Sequence, residues 1–98
     1  MLLRLVPALM LFGGAAAIAQ PAPEAALLAG GCQGCHGAAG EGGHGIPSIR
    51  QAQTRAEFIA TMQAFRTDQR PNTVMGRITR GYTEAEIAVL AAHFGKPQ

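Results

Sequence analysis

Cys32-Gln33-Gly34-Cys35-His36 is the stretch on which the reading of this chain turns. Two thiols stand three positions apart, and an imidazole follows immediately. On one helical turn such thiols can form thioethers to the two vinyl groups of a single haem, and the adjacent imidazole then falls under the iron. Cys32 and Cys35 are therefore the expected points of covalent attachment, and His36 the expected proximal ligand. Three rival readings are weaker. A structural zinc site needs four ligands, usually two such pairs. A thioredoxin-like redox pair needs a strand before the motif. A plain disulfide would leave the adjacent His36 a coincidence.

The flanks decide how such a group is held. Gly30 to Gly45 contains eight glycines, which suits a backbone that turns tightly and lies close to a ligand. Small c-type cytochromes commonly hold the second ring nitrogen of the ligand histidine with the carbonyl of a proline some ten residues on, and Pro47, eleven residues past His36, would fill that role and fix the imidazole plane. The alternative is a loop proline that only stiffens the turn. Upstream, Glu24 to Ala29 consists of helix formers with an acid at the start. Downstream, Thr54 and Glu57 read as a capping box, followed by a helix with Phe58, Ile59, Met62 and Phe65 on one face, fading near Arg66 to Gln69. Thr83 and Glu86 form a second box, opening a helix with Ile87, Leu90, Ala91 and Phe94 on one face, ended by Gly95 and Pro97. Arg70 to Tyr82 has no clear period and reads mostly as loop. No segment alternates as a strand does, so the fold class is all-α: three to four short helices with glycine-rich loops around one haem.

Four side chains compete for the second axial position. Met62 lies on the apolar stripe and suits the core. His93 lies near a helix end, where a cation also suits the dipole. His44 is only eight residues from His36, too short a span to pass around a haem edge. Met75 lies in the non-periodic loop between the two capped helices and is the favoured ligand. A His/Met pair raises the potential relative to two imidazoles and leaves no position for a substrate. Arg77 and Tyr82 flank Met75. They are candidates for contacts to the haem propionates or for a docking rim, against the plainer reading of a solvated charge and a satisfied hydroxyl.

Residues 1–19 read as a cleaved signal peptide. Arg4 is the positive start, Leu5 to Ile18 the apolar stretch, and Ala17-Ile18-Ala19 a small-x-small cleavage site. The apolar run is shorter than the roughly 18 residues of a spanning helix, so no membrane span is expected after cleavage. Residues 20–98 form the expected domain. That domain retains seven of the eight basic and all six acidic residues, and two propionates would bring it near neutrality. No nucleic-acid partner is expected from such a balance. Past the signal, Phe58, Phe65, Tyr82 and Phe94 are the only aromatics. A core this thin calls for a large cofactor at its centre.

Taken together, the Cys-x-Gly-Cys-His-Gly run, the glycine-rich loop, Pro47-Ser48-Ile49 and Met75-Gly76-Arg77-Ile78 resemble the monohaem class I cytochromes c. More narrowly, Thr73 to Thr83 (TVMGRITRGYT) resembles the cytochrome subunit of flavocytochrome c sulfide dehydrogenase. The resemblance spans about Ala25 to Phe94. It implies a helical fold with the terminal helices packed together, His36 and Met75 as axial pair, and one covalent haem c. It also implies a periplasmic partner that oxidises sulfide at FAD and passes electrons to this haem. The chain departs from two-haem relatives, having one attachment motif. It is expected to be no enzyme by itself. The alternatives are a free periplasmic shuttle serving other redox proteins, or a sensor or catalyst with an open axial site.

Overall fold

The computed structural model describes residues 23–97, together with Leu2, Leu3, Pro7, Ala8 and Gly13. Apart from those five positions, the expected signal segment 1–19, with its cleavage boundary, lies outside the described residues. Four helices follow in order: α1 (Pro23–His36), α2 (Arg55–Arg66), α3 (Met75–Thr79) and α4 (Glu84–Phe94). The described residues contain no strand, only the isolated bridges Gly43 to Ile46 and Thr54 to Lys96.

The first helix outruns its helix-forming segment. Two glycines in a row each cost about 1 kcal/mol relative to alanine in a helix interior. Tertiary packing overrides that cost, because Ala29 and Cys32, which flank those glycines, are buried in the core cluster. Gly31 has a second reason to be glycine: a β-carbon there would lie 2.4 Å from the Tyr82 hydroxyl oxygen.

α4 opens with the expected capping box, in which the Thr83 side chain accepts from the Glu86 N–H and the Glu86 carboxylate accepts from the Thr83 N–H. At α2 only half of the box forms. The Thr54 side chain accepts from the Glu57 N–H at 3.1 Å, while the Glu57 carboxylate takes the Thr54 hydroxyl rather than its amide.

Arg70 to Tyr82 is mostly loop, as read, but it also holds the five-residue α3 that the reading did not separate out. Five residues are too few to show a period, and this helix has no side-chain cap at Val74. It is held by its surroundings instead. Asn72 Oδ1 accepts the Gly76 N–H at 2.8 Å, and the buried Thr79 hydroxyl donates to the Gly76 carbonyl at 3.1 Å.

α1 packs on α4, and α2 packs on both α3 and α4. Ile87 and Leu90 of α4 are fully buried. Phe58 of α2 stacks on Phe94 of α4, with centroids 6.2 Å apart and planes 20° from parallel. Met62 is buried in the same cluster, as its place on the apolar stripe foretold. Among the described residues α1 and α3 do not pack on each other as elements. A cavity separates them.

Candidate functional site

The cavity has a volume of about 540 Å3, within the range of small-molecule and cofactor sites. Cys32, Cys35 and His36 reach it from α1, Pro47 from the glycine-rich loop, and Met75 from the start of α3. Phe58, Met62 and Phe65 close it along α2. The five residues expected to hold or orient a haem thus converge on one space, drawn from three separate parts of the chain. His44 and His93, set aside as ligands, do not line it.

His36 is buried and its ring is fixed. Nδ1 lies 2.7 Å from the Pro47 carbonyl oxygen. A carbonyl only accepts, so Nδ1 carries the proton and Nε2 is left with the lone pair. The loop between them makes this contact possible. The Gly42 N–H donates to the His36 carbonyl, and the Gly43 and Ile46 amides and carbonyls pair across the turn. At Gly42, φ is +73°, and a β-carbon would fall 2.6–2.7 Å from backbone atoms of Ile46, Pro47 and Ser48. Only glycine lets the chain double back closely enough to aim Pro47 at the imidazole.

Cys32 is buried and Cys35 exposed. Burial raises the Cys32 thiol above its ordinary range, and the nearby Tyr82 hydroxyl partly opposes that. Tyr82 is itself pushed up, chiefly by burial and then by the neighbouring Cys32. Its hydroxyl donates to the Leu28 carbonyl at 3.3 Å. Tyr82 does not line the cavity; its hydroxyl lies against α1 at Gly31 and Leu28. Arg77 does not line the cavity either; it is exposed on α3. Helical periodicity turns its side chain away, because Met75 and Ile78 occupy the cavity-facing positions of that short helix.

Four polar lining residues escaped the sequence reading: Thr61, Arg70, Asn72 and Thr73. Thr61 lies on the apolar face of α2 and accepts a 2.8 Å hydrogen bond from Gln53 Nε2. A polar residue three positions from Phe58 on an otherwise apolar stripe was the available signal. Arg70 lines the cavity with its guanidinium 5.2 Å from the Phe65 ring centroid. No spacing rule marks an arginine inside a non-periodic loop.

The residues present fit a haem: paired thiols on one turn, an imidazole with a directed lone pair, a thioether from a separate element, and an apolar lining between them. The zinc alternative finds no support, since the described residues include no cluster of three or more His, Cys, Asp or Glu able to hold an ion. Residues 24–95 match the sequence profile of the family described as cytochrome c. The chain belongs to the cytochrome c family. Cytochrome c4 of Acidithiobacillus ferrooxidans is similar in structure, with a TM-score of 0.60 and 30% sequence identity over 64% of this chain and 36% of that one. The present chain therefore spans only about a third of the length of that relative. No curated protein matches it.

Membership of this family brings one covalently attached haem c and a role in electron transfer. The small all-α class I fold agrees with it. Among the described residues no helix is long and apolar enough to cross a membrane.

Proposed function

We propose that this cytochrome is the periplasmic haem subunit that accepts electrons from a sulfide-oxidising FAD flavoprotein. The observation that carries its redox role is the arrangement of donors: His36 on α1 and Met75 on α3 reach one cavity from elements that do not touch. When bound, the haem supplies a one-electron ferric/ferrous couple. Cys32 and Cys35 would hold it covalently, the two ligand positions of its iron would fall to His36 and Met75, and Pro47 fixes the imidazole. With both positions taken by side chains, the site passes electrons and binds no substrate. The choice of partner rests on the Thr73 to Thr83 run, which resembles the cytochrome subunit of flavocytochrome c sulfide dehydrogenase and includes α3 and the cavity-lining Val74 and Met75.

The test is purification of the exported protein from its native host. A co-purifying FAD protein and sulfide-dependent reduction of the haem are expected. A lone monomer that no flavoprotein reduces would defeat the partner assignment.

The second reading is a free periplasmic shuttle without a dedicated flavoprotein partner. Reduction by several unrelated redox proteins, with no stable complex, would select this reading.

A further inference from the structure

We propose that Tyr82 is a positioning residue: it braces the turn of α1 that carries Cys32 against the segment that presents Met75, and so keeps the Met75 sulfur on the haem iron. The need for a brace follows from the fold. The expected ligands stand on α1 and α3, which do not pack on each other as elements among the described residues. The turn of α1 before Cys32 is also intrinsically weak, because Gly30 and Gly31 both sit in it.

A chain of contacts spans the two segments from outside the cavity. On the α3 side, the fully buried Thr79 accepts the Tyr82 N–H on its carbonyl at 3.2 Å. From α2, the Arg66 guanidinium donates to the Tyr82 carbonyl. The backbone of Tyr82 is thus held through both its amide and its carbonyl. Its side chain then crosses to α1, where the hydroxyl donates to the Leu28 carbonyl at 3.3 Å. In an α-helix that carbonyl also accepts the amide four residues on, which is that of Cys32. The hydroxyl therefore closes on the turn that carries the first attachment point. It fits there because residue 31 is glycine, a β-carbon at that position falling 2.4 Å from the hydroxyl oxygen. Burial, and then the neighbouring Cys32, push the Tyr82 pKa up, so the group stays protonated and able to donate through the neutral range. Tyr82 and Met75 both pack against the core cluster that contains Cys32. Loss of the hydroxyl leaves that packing but unties α1 from the Met75 side. This inference rests on Met75 as the axial ligand and not on the choice of flavoprotein or shuttle.

The test is the rate of carbon monoxide binding to ferrous holoprotein, with haem attachment checked first by the visible spectrum. Carbon monoxide gains the iron when the Met75 sulfur has left it, so the rate reports that opening. One neutral hydrogen bond shifts such an equilibrium by about two- to tenfold, and Y82F should raise the rate by that factor. G31A displaces the hydroxyl and should do the same. I59V trims a partly buried core residue that does not line the cavity and should change the rate by less than about twofold. G31A/Y82F separates bracing from bulk stability. It removes the colliding oxygen, so thermal stability recovers in part, yet the brace is still missing and the rate should stay raised. A rate that returns toward wild type together with stability would overturn the proposal, and so would Y82F binding at the wild-type rate. M75L is the control for the underlying reading: fast binding in M75L with no effect of Y82F defeats the brace alone, whereas M75L at the wild-type rate defeats the axial assignment and the brace with it. If Y82F yields no holoprotein, proton NMR of wild type decides. The Tyr82 hydroxyl proton should exchange slowly and show through-space contact with Leu28 and Cys32 protons, and a rapidly exchanging hydroxyl without those contacts would overturn the proposal.

Discussion

His36 Nδ1 and the Pro47 carbonyl oxygen, eleven residues apart in sequence, lie within 2.7 Å of each other. That contact depends on Gly42, whose left-handed backbone lets the loop fold against Pro47. G42A adds both a positive-φ penalty and a collision with backbone that cannot swing aside. It should cost about 1–3 kcal/mol of folding free energy, read by denaturant unfolding of the holoprotein. Wild-type stability in G42A would mean that the loop is not fixed as described.

Within α1, neighbouring glycines should respond in opposite senses. A β-carbon at Gly30 meets nothing within 4 Å, so G30A should stabilise by about 0.5–1 kcal/mol through helix propensity. At Gly31 the same methyl would strike the Tyr82 hydroxyl and displace the ring that backs Cys32. G31A should therefore lose stability, and G31A/Y82F should recover part of the loss, because the phenylalanine ring lacks the oxygen that collides. Thermal unfolding of the four proteins checks the pattern.

These two glycines also mark how far the sequence could be read. The attachment motif, the two threonine-capped helices and the Met62 core position follow from spacing and periodicity, which are local properties. The extension of α1 through Gly30 and Gly31 does not, because its reason is packing of Ala29 and Cys32 against a helix more than fifty residues away. α3 was hidden for a related cause: its stabilising contacts come from Asn72 and from α2, with no period of its own. The positions of Arg70 and Tyr82 relative to the cavity depend on which way a loop turns, and no residue pattern encodes that direction.

Glu41 supplies a pH dependence. Its carboxylate accepts from its own backbone amide and from that of Ala39, and Arg50 adds a weaker attraction, so its pKa lies below the ordinary carboxylate value. A lowered folded-state pKa stabilises the protein above the unfolded value, and the benefit fades as pH falls through the folded one. The stability gap between wild type and E41Q should therefore be widest at neutral pH and shrink on acidification below about 4.5. Urea unfolding across pH 3 to 7 measures it, and a gap independent of pH would refute the assignment.

Arg66 joins the end of α2 to the start of α4. Its guanidinium donates to the Tyr82 carbonyl and to Glu84 Oε1, the latter at 2.7 Å. The Arg66 side chain is 25% exposed and that of Glu84 65% exposed, so the ion pair alone contributes less than about 1 kcal/mol. E84Q should cost no more than that. R66A additionally strips the Tyr82 carbonyl of its partner and should cost about 1–3 kcal/mol. Equal losses in the two variants would show that the carbonyl contact carries nothing.

Met75 gives the sharpest test of the site. The side chain is half-buried against the core cluster, so truncation to alanine would mix loss of a ligand with loss of packing. M75L keeps the volume at a cost below about 1.5 kcal/mol while removing the sulfur. If Met75 holds the second axial position, the ferrous wild-type protein should resist carbon monoxide, and M75L should bind it readily. M75L should also have a lower reduction potential, because a thioether favours ferrous iron. His44 and His93 do not line the cavity, so neither is positioned to take the vacated place. Carbon monoxide binding at the same rate in both proteins would remove Met75 from the coordination sphere and reopen the reading of a sensor or catalytic haem.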